Sequence, residues 1–133
     1  MKRLEDNNFT ISKTIKRIPP IEGCVFGDIK DEVVGTKYKL SLVFIGEKRS
    51  RALNRTYRGK NRPTDILSFP LSENEGEIFI NPYRSQIESR KFGRKLPNFL
   101  QFLFIHGLCH LKGMTHGSRM EYIERKYRKI FNV

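Results

Sequence analysis

The chain has 133 residues, of which 38% are hydrophobic, and carries 26 Lys and Arg against 14 Asp and Glu, a formal charge of +12. This length predicts one domain over residues 1–133 with a real core, and the composition excludes a disordered chain. So large an excess of positive charge indicates a polyanionic partner, most simply nucleic acid. An anionic membrane surface is the competing partner, but no apolar run has spanning length and no segment forms a clear interfacial helix.

The two cysteines and the first ten residues bear on the cellular location. Cys24 and Cys109 give no disulfide framework in a chain of this size, which favours a reducing cytosol. Residues 1–10 lack the apolar core of a secretory signal, and Glu5 and Asp6 argue against an organellar transit peptide. The sequence therefore predicts a cytoplasmic protein without a membrane partner.

The first third of the chain predicts an arm, a helix and a strand. Residues 1–20 are polar and basic, so they form either a loosely ordered arm or an irregular edge strand. Apolar residues at helical spacing predict a helix over 24–34, with Gly35 as its C-terminal cap. Residues 38–45 alternate and then become wholly apolar, as in a strand that is covered on both faces.

A basic helix and a hairpin are predicted in the middle of the chain. Residues 64–69 predict a strand that Pro70 stops, and residues 77–80 predict a second strand that closes a hairpin. A charged loop over 59–63 precedes them. Before that loop, residues 48–57 predict a helix whose packing face carries Ala52, Leu53 and Tyr57.

Three helices are predicted in the last part of the chain. The first begins at Asn81-Pro82, with proline at its first position, and runs to about Arg90. A long apolar helix follows over 97–111. The last helix covers 118–131, with core positions at Met120, Ile123, Tyr127 and Ile130. Strands interleaved with helices indicate an α/β (α+β) domain, in which helices pack on a small mixed sheet.

All three histidines lie in one segment near the C-terminus. His106 and His110 are spaced i,i+4, so they share one face of the long helix. Gly113 can end that helix in a left-handed turn and bring His116 back to the same point. Three neutral imidazoles that converge in this way predict a metal site on the helix and the following turn.

The ligand set suggests which metal chemistry the site supports. Nitrogen ligands suit zinc, while nickel, copper and cobalt also fit them. Three ligands leave a coordination position open, which is typical of catalytic rather than structural zinc. Cys109 is either a fourth ligand or, as its helical position favours, a small buried residue on the packing side. Zinc proteases with this spacing place a glutamate base after the first histidine, whereas this chain has Gly107.

A second group of candidate residues joins the basic helix to the following strand. Arg58, Lys60 and Arg62 surround a glycine and are candidates for a phosphate clamp, with Arg58 able to form two parallel hydrogen bonds. For Lys60 and Arg62, a solvated cationic loop is the alternative. Other basic residues either hold an RNA backbone or form a solvated face; they are Arg84, Arg90, Lys91, Arg94 and Lys95.

Together, these two regions resemble the YbeY family of bacterial and organellar endoribonucleases, which are also described as rRNA maturation factors. The resemblance covers about residues 36–131. The matching segments, in chain order, are Leu53-Asn54, Tyr57-Arg58-Gly59, Pro63-Thr64-Asp65-Ile66-Leu67-Ser68-Phe69-Pro70, Gly76-Glu77-Ile78, His106-Gly107, His110-Leu111, Gly113 and His116.

This resemblance implies specific roles for the candidate residues. His106, His110 and His116 would bind one Zn²⁺, and Arg58 and His110 would be catalytic. The implied function is a zinc-dependent, single-strand-specific endoribonuclease in rRNA maturation and ribosome quality control. Its implied partners are precursor rRNA and a 30S-type ribosomal subunit.

Two departures from the family pattern keep other functions in view. Thr115 stands where the family usually has aspartate, and Leu108-Cys109 reverses the usual order. If the missing carboxylate orients a ligand or moves a proton, activity is reduced or rerouted. The rival functions are a ribosome-assembly factor with a structural metal and, less favoured, a metalloprotease.

Overall fold

Four strands form one mixed sheet: β1 (Phe9–Lys13), β2 (Lys39–Phe44), β3 (Ile66–Ser72) and β4 (Glu75–Ile80). Their order in the sheet is β1-β2-β4-β3. The computed structural model describes residues 8–133. Strands β1 and β2 pair in parallel, as do β2 and β4, while β3 runs antiparallel to β4. The predicted fold class, a small mixed sheet with helices packed on it, is confirmed.

Five helices surround this sheet in the described part of the chain, close to their predicted positions. They are α1 (Phe26–Val34), α2 (Glu47–Arg58), α3 (Pro82–Lys91), α4 (Leu96–Leu111) and α5 (Ser118–Phe131). Asn81 caps α3 as its sequence predicts, since the side chain accepts a hydrogen bond from the backbone N–H of Arg84 at 3.3 Å. None of these helices is long and apolar enough to cross a membrane.

Helix α4 is the centre of the main core. Its Leu100, Phe104 and Leu108 are completely buried, in one cluster with Leu42 of β2 and Ile78 of β4. Burial of each such side chain contributes about 1.5–3 kcal/mol. The helix is therefore held rigidly, and the direction of every side chain on its other face is fixed.

Helix α2 packs partly as predicted, since Leu53 lies against the small apolar cluster of Ile45, Leu67 and Phe79. Of the predicted packing face, Tyr57 is 66% exposed and Ala52 is exposed as well. Ser50 and Asn54 are buried instead. Ser50 bonds the backbone of Thr64 in both directions, and the Asn54 side-chain amide donates to a carbonyl of the same loop at 2.9 Å. Buried loop backbone needs such partners, so α2 fixes the loop before β3.

Two further predictions from the sequence are wrong. Strand β3 continues through Pro70 to Ser72, because an edge strand needs ladder hydrogen bonds on one side only. Ile130 is 59% exposed instead of lying in the core. At 3.6 residues per turn, Ile130 points about 80° away from Met120 around the helix. Glu124 points closer to the direction of Met120 than Ile130 does, and Glu124 is buried.

Gly107 allows α4 to approach the sheet closely. A Cβ there would lie 2.7 Å from Ser68 Oγ, 3.0 Å from Ile66 Cδ1 and 3.1 Å from Ile78 Cδ1. We expect Gly107→Glu to lower the free energy of unfolding by more than about 3 kcal/mol, because it adds both a clash and a buried charge. Gly107→Ala should cost less, about 1–3 kcal/mol, since the neighbouring side-chain ends can move. Denaturant unfolding measures both, and a stable glutamate variant would contradict this packing.

Candidate metal centre

The three histidines converge at one point, as their spacing predicts. Their ligand nitrogens all lie within 4.8 Å of one another. His106 and His110 are one turn apart on α4, with their Nε2 atoms 3.1 Å apart. Gly113 follows the helix at a φ of +90°, and the turn brings His116 beside the other two imidazoles. Among the described residues, this is the only group of His, Cys, Asp and Glu side chains so arranged.

Each helical histidine is oriented through its Nδ1 atom. His106 Nδ1 lies 3.1 Å from both carboxylate oxygens of Glu124, which belongs to α5 and is buried. His110 Nδ1 lies 3.1 Å from the backbone carbonyl of Met114. A carbonyl and a carboxylate oxygen accept hydrogen bonds, so both contacts suit an Nδ1–H donor. The neutral tautomer with its hydrogen on Nδ1 leaves Nε2 free to bind an ion at the centre.

The two Nε2 atoms lie 3.1 Å apart, a contact that either a hydrogen on one of them or a bound cation between them would make favourable. In a tetrahedral zinc site, Zn–N bonds of 2.0–2.1 Å place ligand nitrogens roughly 3.3 Å apart, which this pair matches closely. Burial, followed by the neighbouring His106, lowers the pKa of His110 below its usual value and so favours the neutral, ligating form. The donor set therefore fits a divalent transition metal.

Cys109 is not part of this ligand set. It is completely buried on the packing side of α4. Burial raises the pKa of its thiol to about 11. Since the thiolate is the form that binds metals, Cys109 remains a protonated packing residue. Of the two alternatives raised by the sequence, the structure thus supports the buried one.

Glu124 is a positioning residue that the sequence analysis missed. In the sequence, only its position one helical turn after the apolar Met120 indicates that Glu124 lies on the packing side of α5. We expect Glu124→Gln to weaken zinc binding about 10–100-fold, because the amide loses the charge that orients and polarises His106. Competition with a chelator measures this affinity. Glu121→Gln removes an exposed carboxylate of the same helix and should leave the affinity unchanged; equal effects of the two variants would contradict the role of Glu124.

Arg58 faces the histidines across a shared cavity of about 200 Å³. It is the last residue of α2, and Gly59 turns the chain away at a φ of +68°. Asp65, another residue that sequence reasoning missed, lines the same cavity, and burial, reinforced by Glu88, raises the pKa of its carboxyl group. The cavity thus combines three histidines that could hold a metal ion, an exposed guanidinium and a carboxyl group.

The other predicted RNA-binding residues lie outside this cavity. Arg84 is held by Glu47, with one N–O distance of 2.6 Å and a second hydrogen bond of 3.2 Å. Arg94 contacts the Asn98 side chain and lies over the Phe102 ring. The remaining five, which are exposed to solvent, are Lys60, Arg62, Arg90, Lys91 and Lys95.

Comparison with known proteins relates this geometry to a family. The family model described as Endoribonuclease YbeY matches residues 6–132. Two similar curated proteins are both named Endoribonuclease YbeY. The one from Thermodesulfovibrio yellowstonii is 39% identical over 68% of this chain and 61% of that protein. The one from Geobacillus kaustophilus is 32% identical over 81% of this chain and 79% of that protein. The chain thus spans about three fifths of the length of the first relative.

A solved structure agrees with this assignment. A Thermotoga maritima protein, determined in solution, matches with a TM-score of 0.64 and 27% identity, over 92% of this chain and 88% of that one. The match of the family model extends over nearly the whole chain and includes all three histidines and Arg58. The chain belongs to the YbeY family of endoribonucleases.

Proposed function

We propose that the protein is a zinc-dependent endoribonuclease that cleaves single-stranded RNA. The observation that carries this proposal is the shared cavity of Arg58 and the three histidines, in a chain with a formal charge of +12. The name of the curated relatives supports the same activity. Zinc is favoured over nickel, copper and cobalt because three imidazoles with a free coordination position are typical of catalytic zinc sites.

In this proposal, His106, His110 and His116 hold the ion. Bound zinc would supply Lewis acidity toward a phosphoryl oxygen. Glu124 and the Met114 carbonyl keep two imidazoles aimed at the ion, so that no reorganisation is needed during the reaction. His110 acts through ligation, because both of its ring nitrogens are already engaged within the centre.

Arg58 would bind the scissile phosphate opposite the histidines. Its guanidinium can donate two parallel hydrogen bonds to phosphate oxygens, and it stabilises the negative charge that grows in the transition state. Lys60, Arg62 and Arg90 would add exposed positive charge along the RNA backbone, an attraction that weakens with salt. Arg84 is expected to contribute less, because Glu47 neutralises it.

The proposed biological role is rRNA maturation and ribosome quality control in the cytoplasm. Precursor rRNA and the 30S-type subunit are the partners that the family resemblance implies, and they suit a basic domain. Both cysteines are buried, which is compatible with a reducing compartment.

A ribosome-assembly factor with a structural metal is the second candidate. Thr115, which replaces the usual aspartate, is exposed in the turn before His116 and adds no carboxylate to the centre. In this chain, Glu124 provides a carboxylate partner for a ligand instead. A metalloprotease is disfavoured, because Gly107 leaves no room for a glutamate base after His106.

Cleavage by metal-depleted and zinc-reconstituted protein tests the proposal. Purified protein is offered a single-stranded RNA, the same RNA in a duplex, and casein. We expect zinc to restore cleavage of the single strand, with the duplex and casein left intact. Cleavage of casein alone would indicate a protease, and RNA binding without zinc-dependent cleavage would support the assembly factor.

A further inference from the structure

A second cavity, of about 350 Å³, adjoins the three histidines, and Arg58 is not among its lining residues. His106 and His116 form part of its wall and also line the cavity that contains Arg58. Three aromatic residues, Phe92, Phe99 and Phe102, belong to the same wall. A ligand in this second cavity would therefore lie beside both the histidines and phenyl rings.

The three rings form a stacked group that ends in an exposed ring. Phe99 and Phe102 stack with their ring centroids 5.5 Å apart and an interplanar angle of 14°. Phe92 lies 5.5 Å from Phe99 and 5.9 Å from Phe102. Phe99 is buried, but Phe92 is 58% exposed. The group thus has a rigid base and one open aromatic ring at the cavity.

Helix geometry places this aromatic group close to the metal ligands. Phe102 precedes His106 by one turn of α4, which is about 6 Å along the helix axis. Phe92 follows the last residue of α3 and packs on the same end of α4. Neighbouring groups of a single nucleotide chain could therefore reach the metal centre and the open ring at the same time.

Positive charge lies beside the rings. Arg94 lies over Phe102 at 4.3 Å, and Arg128 lies 5.1 Å from the same ring centroid. Arg128 is partly neutralised by Glu121 and Glu124, whereas Arg94 contacts the neutral Asn98 amide. The charged residues that line the cavity itself are acidic, namely Asp65, Glu121 and Glu124. A stacked aromatic wall of this kind suits a flat, uncharged ring, whereas an anionic backbone attached to that ring would have to lie outside the cavity, toward Arg58.

We propose that this cavity holds an unpaired nucleobase of the RNA substrate, stacked on Phe92, while the adjoining phosphodiester lies between the histidines and Arg58. The inference rests on the proposed nuclease function. Paired bases are already stacked within a duplex, so the cavity accepts only bases that are free to turn outward. Every base has a π face, so this site selects single strands without reading their sequence.

Phe92→Ala is the direct test, because the exposed ring can be removed without opening the core. We expect zinc-loaded variant protein to bind a short single-stranded RNA roughly 5–100-fold more weakly than the parent chain. Phe92→Trp should retain the affinity, since indole offers a larger stacking face. Tyr83→Ala is the matched control: Tyr83 is a 63% exposed aromatic residue of α3 outside the cavity, and its loss should leave binding unchanged.

An RNA series identifies the stacked base. A fluorescent adenine analogue is placed at successive positions, and the same positions are made abasic in a second series. We expect fluorescence quenching at one position next to the cleaved bond, with the abasic RNA at that position losing as much affinity as Phe92→Ala. The two changes combined should cost no more than either alone, because both remove the same contact.

The outcomes separate this inference from the proposed function. If Phe92→Ala binds and cleaves RNA like the parent chain, the proposed nucleobase site is wrong. The same conclusion follows if abasic sites at all positions weaken RNA binding equally. In both cases the proposed nuclease function still stands. If the parent chain neither binds nor cleaves single-stranded RNA, both proposals fail. Binding of an apolar peptide in the cavity, lost in Phe92→Ala while RNA binding persists, would also overturn the inference.

Discussion

Replacing His110 by alanine should abolish metal binding and RNA cleavage together. The Nε2 atom of His110 lies 3.1 Å from that of His106. The other ring nitrogen of His110, Nδ1, is held by the backbone carbonyl of Met114. Two remaining imidazoles cannot hold a divalent ion with comparable affinity, and the Lewis acid is lost with it. Metal content after dialysis and cleavage of single-stranded RNA, measured on the same preparation, are the two readouts.

Lys112→Ala provides the control for this experiment. Lys112 directly follows α4, is exposed, and is not a member of the three-histidine group. The Lys112→Ala protein should keep both its bound metal and its RNA-cleaving activity. A His110→Ala protein that loses its metal but retains full cleavage, or full rRNA processing in cells, would exclude catalysis at the metal and leave a structural role for the ion.

Arg58→Ala should lower the rate of RNA cleavage about 100- to 1,000-fold, the effect of removing one donor that stabilises transition-state charge. Metal content should stay unchanged, because Arg58 lines the cavity without belonging to the ligand group. Most of the loss should appear in kcat at saturating RNA rather than in KM. Arg58→Lys should recover only part of the rate, since an ammonium group cannot form the two parallel hydrogen bonds.

Arg55→Ala is the matched control on the same helix. Both arginines are exposed in the last turn of α2, but only Arg58 lines the cavity of the histidines. Removal of Arg55 should change KM slightly and only at low salt. If the two variants lost activity equally, Arg58 would contribute general charge rather than transition-state stabilisation.

The convergence of the three histidines could be predicted from the sequence because its geometry is local. An i,i+4 pair on a helix and a glycine that accepts a positive φ determine where His106, His110 and His116 meet. Glu124 could not be found in this way, because its contact with His106 depends on how α5 packs against α4. Likewise, the sequence shows Arg84 only as one of several basic residues, whereas in the fold Glu47 forms an ion pair with it.

The fold predictions failed where burial did not follow hydrophobicity. Apolar spacing on α2 predicts a packing face of Ala52, Leu53 and Tyr57, of which only Leu53 is partly buried against the core. The buried positions are Ser50 and Asn54, which provide hydrogen bonds to the adjoining loop. Pro70 ends a strand only where the missing N–H would be needed, and at the edge position of β3 it is not. Both errors concern polar backbone groups whose partners are distant in the sequence or determined by the sheet order.

The contact between Glu124 and His106 joins the last helix to the rest of the molecule. With zinc bound as proposed, the ion, His106 and Glu124 connect α4, the turn that carries His116, and α5. An ion that binds only the folded state stabilises this connection in proportion to its supply. Under zinc starvation, the C-terminal helix would detach more often and expose its chain to proteases. The amount of the enzyme in a cell would then follow the availability of its metal.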